Sequence, residues 1–269
     1  VRLLMKGQRT ERLVRMASRL LLFPAKQVSL TQMAGAFQVS KTVISDDIAI
    51  IDGAFAQEEL GRVVVDRGRS GGAAFRPALT AGLRRKWLES VAQRISEEER
   101  LLPGGLIYYS DILFDPSFAL PLGFALASDF AEVGADVVMT SEVKGIPLAL
   151  YVAHALGVPL AVCRFRNRAS DGAAVGVHFP TLSGDVRTMY MGTRQLRKGS
   201  KVLVIDDFMR GGSTVAGMLL VAREFGADVV GTGVFIAAAE PAQKAVKSYK
   251  ALFQLSREPQ GGARIVVID

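Results

Sequence analysis

The sequence predicts an α/β fold in which a small helical module with a basic hairpin precedes a larger unit built on a mostly parallel sheet. Three observations carry that expectation. Between residues 8 and 55, apolar side chains recur at helical spacing. A Gly- and Arg-rich turn between two short β-forming runs occupies residues 61–77. Beyond Pro103-Gly104-Gly105, strand and helix patterns alternate, which implies parallel strands covered by helices on both faces.

The elements follow in order. From Gln8 to Leu22, the residues Leu13, Met16, Ala17, Leu20 and Leu21 make one helical stripe, with Arg9, Arg12, Arg15 and Arg19 on another face. Phe23-Pro24 ends that helix. Ser29-Leu30-Thr31 opens a short helix through Ala36 whose apolar positions are Met33, Ala34 and Phe37, and Gln38-Val39 turns the chain. Ser40 caps a third helix, Lys41 to about Phe55, with Val43, Ile44, Ile48 and Ile51 as its buried stripe. Three helices and a basic hairpin make a winged helix-turn-helix, in which one helix enters the major groove and the wing's arginines reach phosphates or the minor groove. The candidate DNA contacts are Arg12 and Arg15, then Ser40, Lys41, Thr42 and Ser45, and Arg62, Arg67 and Arg69 on the wing. A three-helix dimerisation module is the alternative reading of the same pattern.

A helical connector from Leu79 to Glu99 carries Leu83, Trp87, Leu88, Val91 and Ile95 on one stripe. The organisation expected is therefore a DNA-binding domain at 1–77, a connector at 78–103 and an α/β domain at 104–269. Within the last, Leu106–Tyr109, Ala135–Met139, Pro159–Phe165, Lys201–Ile205 and Val229–Ala237 read as strands. Pro116–Glu132, Gly145–Leu156 and Ser213–Phe225 read as helices, Val175–Tyr190 as a hairpin, and Ser256–Asp269 as a last strand.

Composition narrows the class. In 269 residues, a 49% hydrophobic share with 22% charged excludes wholesale disorder. The single Cys163 excludes a disulfide framework and a thiolate zinc site, and two histidines, His154 and His178, leave little for metal chemistry. No apolar run approaches the ~20 residues that span a bilayer, and the longest, Phe118–Ala127, carries Pro121. Arg12, Arg15 and Arg19 interrupt any signal-peptide pattern, so a cytoplasmic location and no membrane partner are expected. Net charge is +7, and it is unevenly placed. Residues 1–77 hold 12 Lys/Arg against 7 Asp/Glu, whereas residues 78–269 hold 21 against 19. An excess of this kind fits a nucleic-acid-binding segment joined to a nearly neutral domain.

Ligands of open α/β sheets bind where strands lead into helices. Val202-Leu203-Val204-Ile205-Asp206-Asp207-Phe208-Met209-Arg210-Gly211-Gly212-Ser213-Thr214 delivers two carboxylates into a loop that closes on two glycines and two hydroxyls. Backbone N–H groups of Gly211 to Thr214 at a helix start suit a monophosphate, and Asp206 and Asp207 suit sugar hydroxyls, with or without Mg²⁺. A ribose 5-phosphate moiety satisfies both halves. This stretch resembles the phosphoribosyl pyrophosphate (PRPP) signature of type I phosphoribosyltransferases. Met139-Thr140-Ser141-Glu142-Val143-Lys144-Gly145 resembles that family's pyrophosphate loop, and the hairpin 171–192 its flexible loop, with Arg187 and Tyr190 as possible contacts.

The order of domains, with Leu102-Pro103-Gly104-Gly105 at the junction, resembles the purine operon repressors of Gram-positive bacteria. Asp136-Val137-Val138-Met139-Thr140, Lys144-Gly145-Ile146-Pro147-Leu148-Ala149 and Val204-Ile205-Asp206-Asp207-Phe208-Met209 carry the same likeness. The resemblance implies a repressor that releases operator DNA on binding PRPP, with guanosine tetraphosphate or another ribose phosphate as competitor. It implies no required cofactor and no catalysis. Phe208 and Tyr108 are candidate stacking surfaces for a base. A homodimer is expected, with Phe118–Phe130 as candidate surface. The alternative is an active purine or pyrimidine phosphoribosyltransferase with an accessory basic domain. There is no nucleophile elbow, Walker A loop or zincin motif.

Overall fold

The computed structural model of the chain describes residues 8–66, 68, 71–102, 106–181, 184–257 and 263–268. Two compact units emerge, one comprising the chain up to Leu83 with His154–Gly157, the other Arg84–Ala153 with the chain from Val158 on. The division falls inside the helix expected as a connector.

In the first unit, α1 (Gln8–Leu22), β1 (Val28–Ser29), α2 (Leu30–Phe37) and α3 (Lys41–Gln57) precede the hairpin β2 (Gly61–Val65) and β3 (Gly72–Pro77). Periodicity places these helices correctly because each has a narrow stripe to bury: Met16 and Leu20, Met33 and Ala34, then Ile44, Ile48, Ile51 and Phe55 close one core with Phe75 of the hairpin. Val43, expected in that stripe, is only half-buried. Ser29 and Ser40 cap α2 and α3 by accepting from the Gln32 and Val43 amides, and Gln38 adopts φ +56° to end α2. The two-residue β1, not anticipated, pairs antiparallel with β3 and makes a three-stranded sheet in the order β1-β3-β2. Its brevity leaves no periodic signal to read.

The helix α4 (Ala81–Ile95) is shorter than the stretch expected for it, and a single 3₁₀ turn follows at Glu98–Arg100. The run 106–109, expected as a strand of the main sheet, contributes only β5 (Leu106–Ile107), paired with β4 (Leu101–Leu102) apart from it. Next come α5 (Ser110–Phe114), α6 (Pro116–Ser128), β6 (Val137–Ser141), α7 (Gly145–Leu156) and β7 (Leu160–Cys163). The hairpin β8 (Ala174–Pro180) and β9 (Val186–Gly192) matches expectation. The chain continues through β10 (Lys201–Met209), α8 (Ser213–Glu224), β11 (Asp228–Ala238), β12 (Lys250–Arg257) and β13 (Ala263–Val267).

The main sheet runs β13-β12-β11-β10-β6-β7, parallel throughout except for the β12–β13 pair at one edge. The α/β class with a mostly parallel sheet therefore holds. Val202 and Val204 of β10 pack with Val215, Met218 and Val221 of α8 in its core. Two details differ from the sequence reading. The single last strand is a pair, because Lys250–Arg257 alternates too weakly to stand out. The strand expected to stop at Ile205 continues through Met209, because β11 keeps pairing with it as far as Ala237. Among the described residues, no helix is long and apolar enough to cross a membrane.

Candidate functional site

The extension of β10 is what builds the site. On one side β6 pairs with Val202–Val204 only, while on the other β11 follows β10 to its end. From Ile205 onward, one edge of β10 has no strand beside it among the described residues, and the 140–145 segment that leaves β6 approaches instead. Gly145 makes this approach possible: a methyl group on it would stand 2.5 Å from Thr140 Oγ1 and 3.6 Å from the Asp207 amide nitrogen. Asp206 is fully buried, and its Oδ1 accepts from the Asp207 amide at 3.1 Å and from Ser141 Oγ at 3.4 Å. Burial first, then the neighbouring Asp207 charge, pushes the Asp206 carboxyl well above the usual carboxylate range. The buried Thr140 hydroxyl has no hydrogen-bond partner among the described residues. A buried acid and an unpartnered buried hydroxyl are both costly to the fold, and the acid gains from a ligand that donates hydrogen bonds.

Past Met209 the chain turns through Arg210-Gly211-Gly212 into α8. Gly212 has φ +83°, a backbone conformation that does not suit a side chain, although a methyl group there would meet Met209 Sδ and the Ala245 and Val246 amide nitrogens only at ordinary contact distances of 3.5–3.6 Å. The Gly211 carbonyl accepts from the Ala245 amide at 2.8 Å, which ties the loop after β11 to this turn. A cavity of about 840 Å³ opens above, walled by Asp206, Phe208, the 210–214 turn, Phe179, Thr181 and Arg187 of the hairpin, and Glu240-Pro241. Ser213 and Thr214 are half-buried at the start of α8, Arg210 is exposed, and Met209 is buried in the core beneath. Lys144 and Val143 are exposed at the entrance to α7.

One expected contact takes another role. Glu142 spends both carboxylate oxygens inside the protein, on the Phe165 amide at 3.0 Å and Arg164 at 3.2 Å, so it anchors the loop after β7. Tyr108 is 45% exposed, and its neighbour Tyr109 stacks on Phe208, with ring centroids 6.4 Å apart.

In the first unit, Lys41, Thr42, Ser45 and Asp46 are exposed on the first turns of α3, while Ser40 uses its hydroxyl as the cap. A groove of about 640 Å³ runs beside them, reaching Ser29 and Thr31 on one side and Val65 and Gly68 of the wing on the other. Arg12 does not belong to this surface. It is buried and paired with Asp47, a fully buried carboxylate in the α3 stripe that also receives Arg9. Arg15 pairs with Glu11 and lies over the Phe37 ring. Arg62 makes a two-pronged pair with Asp52, and the guanidinium holds that carboxyl below its usual range. Arg67 and Arg69 lie outside the described residues.

Both units have recognisable relatives. The family model of the bacterial purine repressor N-terminal domain matches residues 8–77, and that of the phosphoribosyl transferase domain matches residues 125–263. The purine biosynthesis transcriptional repressor PurR of Bacillus subtilis (strain 168) is 36% identical over 253 residues, covering 94% of this chain and 89% of the relative. The chain belongs to the bacterial purine repressor family. Another relative, the purine biosynthesis transcriptional activator PurR of Lactococcus lactis subsp. lactis, is 34% identical over 93% of each chain. Adenine phosphoribosyltransferase from Thermoanaerobacter pseudethanolicus shares the fold of the second unit, with TM-score 0.55 and 16% identity over 62% of this chain and 99% of that one.

Sequence reasoning about this purine repressor family member missed Tyr109, Thr181 and the Glu240-Pro241 wall, which reach the site only through tertiary folding. It also missed Asp47, although a signal was there. An acid three residues after Ile44 and directly before Ile48 sits within a buried helical stripe and needs a cation.

Proposed function

We propose that this chain is a transcriptional repressor of purine biosynthesis genes whose operator affinity falls when PRPP binds its phosphoribosyltransferase-like unit. The likeness to the Bacillus subtilis repressor, which runs through both units at 36% identity, carries this reading. In it, the amides of Gly211 to Thr214 at the α8 start receive the 5-phosphate, and the sugar hydroxyls donate to Asp206 and Asp207. Lys144 neutralises the diphosphate. A Mg²⁺ ion would be held by ligand oxygens together with this acid pair, since magnesium usually combines one or two carboxylates with phosphate groups. Guanosine tetraphosphate, which presents phosphates on a ribose, competes for the same cradle. The protein binds operator DNA as a homodimer, with α3 in the major groove, and no transferase turnover is required.

The test is a titration of purine operator DNA with and without PRPP. PRPP should weaken binding by about 5- to 150-fold, the range of ordinary allosteric coupling. Asp206→Ala combined with Asp207→Ala should remove that response while the folded variant still binds operator. A folded double variant that releases DNA on PRPP addition sinks the site assignment. The Lactococcus relative's name supports a second reading, an activator. Deleting the gene separates them, since purine transcripts rise if it represses and fall if it activates. Xanthine phosphoribosyltransferase of Lactobacillus delbrueckii, 29% identical over 154 residues, motivates the enzyme reading. Pyrophosphate release from PRPP with any nucleobase would establish it.

A further inference from the structure

Tyr109 links Asp207 and Phe208 of β10 to Lys144, yet the binding of ribose and phosphates described so far gives it no role. Its hydroxyl donates to Asp207 Oδ2 at 2.6 Å. Its ring stacks on Phe208, tilts against Phe235 at 5.8 Å between centroids, and has the Lys144 ammonium 4.9 Å from its centroid. Only 6% of the residue is exposed, so the side chain is held by packing on several sides. One residue thus touches the acid strand through Asp207 and Phe208 and the 140–145 segment through Lys144.

We propose that Tyr109 is the positioning residue of this site: its hydroxyl orients Asp207 for the sugar, and its ring holds the Lys144 ammonium, 4.9 Å from the ring centroid. The inference rests on the ribose-phosphate reading of Asp206 and Asp207. The phenol hydroxyl is the donor of this 2.6 Å hydrogen bond, and the carboxylate oxygen is its acceptor. Asp207 Oδ2 is therefore committed, and a sugar hydroxyl finds an acceptor whose direction is already set. An unanchored carboxylate at a half-exposed strand end would lose rotamer freedom on binding, and the tyrosine removes that cost in advance. The ring–ammonium contact does the same for Lys144, holding a flexible cation at the entrance to the site.

The test is a double-mutant cycle on the full chain, read by calorimetric titration with PRPP. Tyr109→Phe keeps the ring contacts and removes only the donor, so it should melt near wild type. PRPP affinity should fall roughly 10- to 100-fold, the equivalent of one hydrogen bond to a charged group. Asp207→Asn should weaken PRPP as well, and the double variant should bind no more weakly than Asp207→Asn alone, because Tyr109 acts through that carboxylate. Losses that simply add, or a Tyr109→Phe chain that binds PRPP as well as wild type, overturn the inference and leave the effector reading standing. A wild-type chain that binds no PRPP overturns both.

Discussion

At the scale of single residues, the chain separates cations that hold the fold from cations that face solvent. Arg12 looks like the other arginines of α1, but it pairs with a carboxylate that has no exposure at all. Removing it leaves Asp47 with Arg9, whose side chain is more than half exposed. Arg12→Ala should cost roughly 3 kcal/mol, because breaking one side of a buried pair strands a buried charge. Thermal melting reads this, and near-unchanged stability would mean that Arg9 alone satisfies Asp47. Gly212 makes a second case. At φ +83°, a conformation that costs any side chain strain, Gly212→Ala should destabilise by about 1–3 kcal/mol and weaken phosphate ligands. Denaturant melts and a ribose 5-phosphate titration measure the two effects separately.

At the scale of elements, the short helix α5 is fixed by charge more than by length. Arg100 grips both oxygens of Asp111 at 2.8 and 2.9 Å and also donates to the Tyr108 carbonyl. Five residues cannot sustain a helix alone, so this clamp sets where Tyr109 emerges. The hydrogen bonds from Arg100 hold the Asp111 carboxyl below its ordinary value of 3.8. A depressed folded-state pKa contributes stability that is present above 3.8 and lost as pH falls through the lower folded value. Asp111→Asn should therefore lower stability at neutral pH and flatten its decline under acid. Equal acid sensitivity in wild type and variant, measured by urea melts between about pH 5 and roughly pH 2, would show that the clamp carries no pH linkage.

At the scale of the whole molecule, the repressor reading proposed above predicts a homodimer, since a two-fold operator is read by two copies of the recognition helix. Sedimentation at micromolar concentration should give twice the chain mass; a monomer with full operator affinity contradicts that expectation. The exposed Lys41 at the start of α3 should neutralise one phosphate per copy. Lys41→Ala should therefore reduce the salt slope of operator binding by about 1 for each phosphate that the lysine pairs with in the wild type. An unchanged slope would move the DNA surface elsewhere on the chain.

What the sequence determined by itself was everything with a local cause. Helical stripes placed α1 to α3, a serine cap placed the start of α3, and the Asp-Asp to Gly-Gly run marked the strand-to-helix turn at the head of the cavity. Periodicity and capping act within a few residues, so they can be read in a line of text. The tertiary structure alone decided which charges are spent and which are free. Arg12 meets Asp47 across 35 positions, and Tyr109 meets Asp207 across 98. It also decided that β10 runs on past the acids, because strand length depends on how far β11 can follow it. Neither outcome has a local signature, since a buried pair or a strand end is set by partners that only packing brings near.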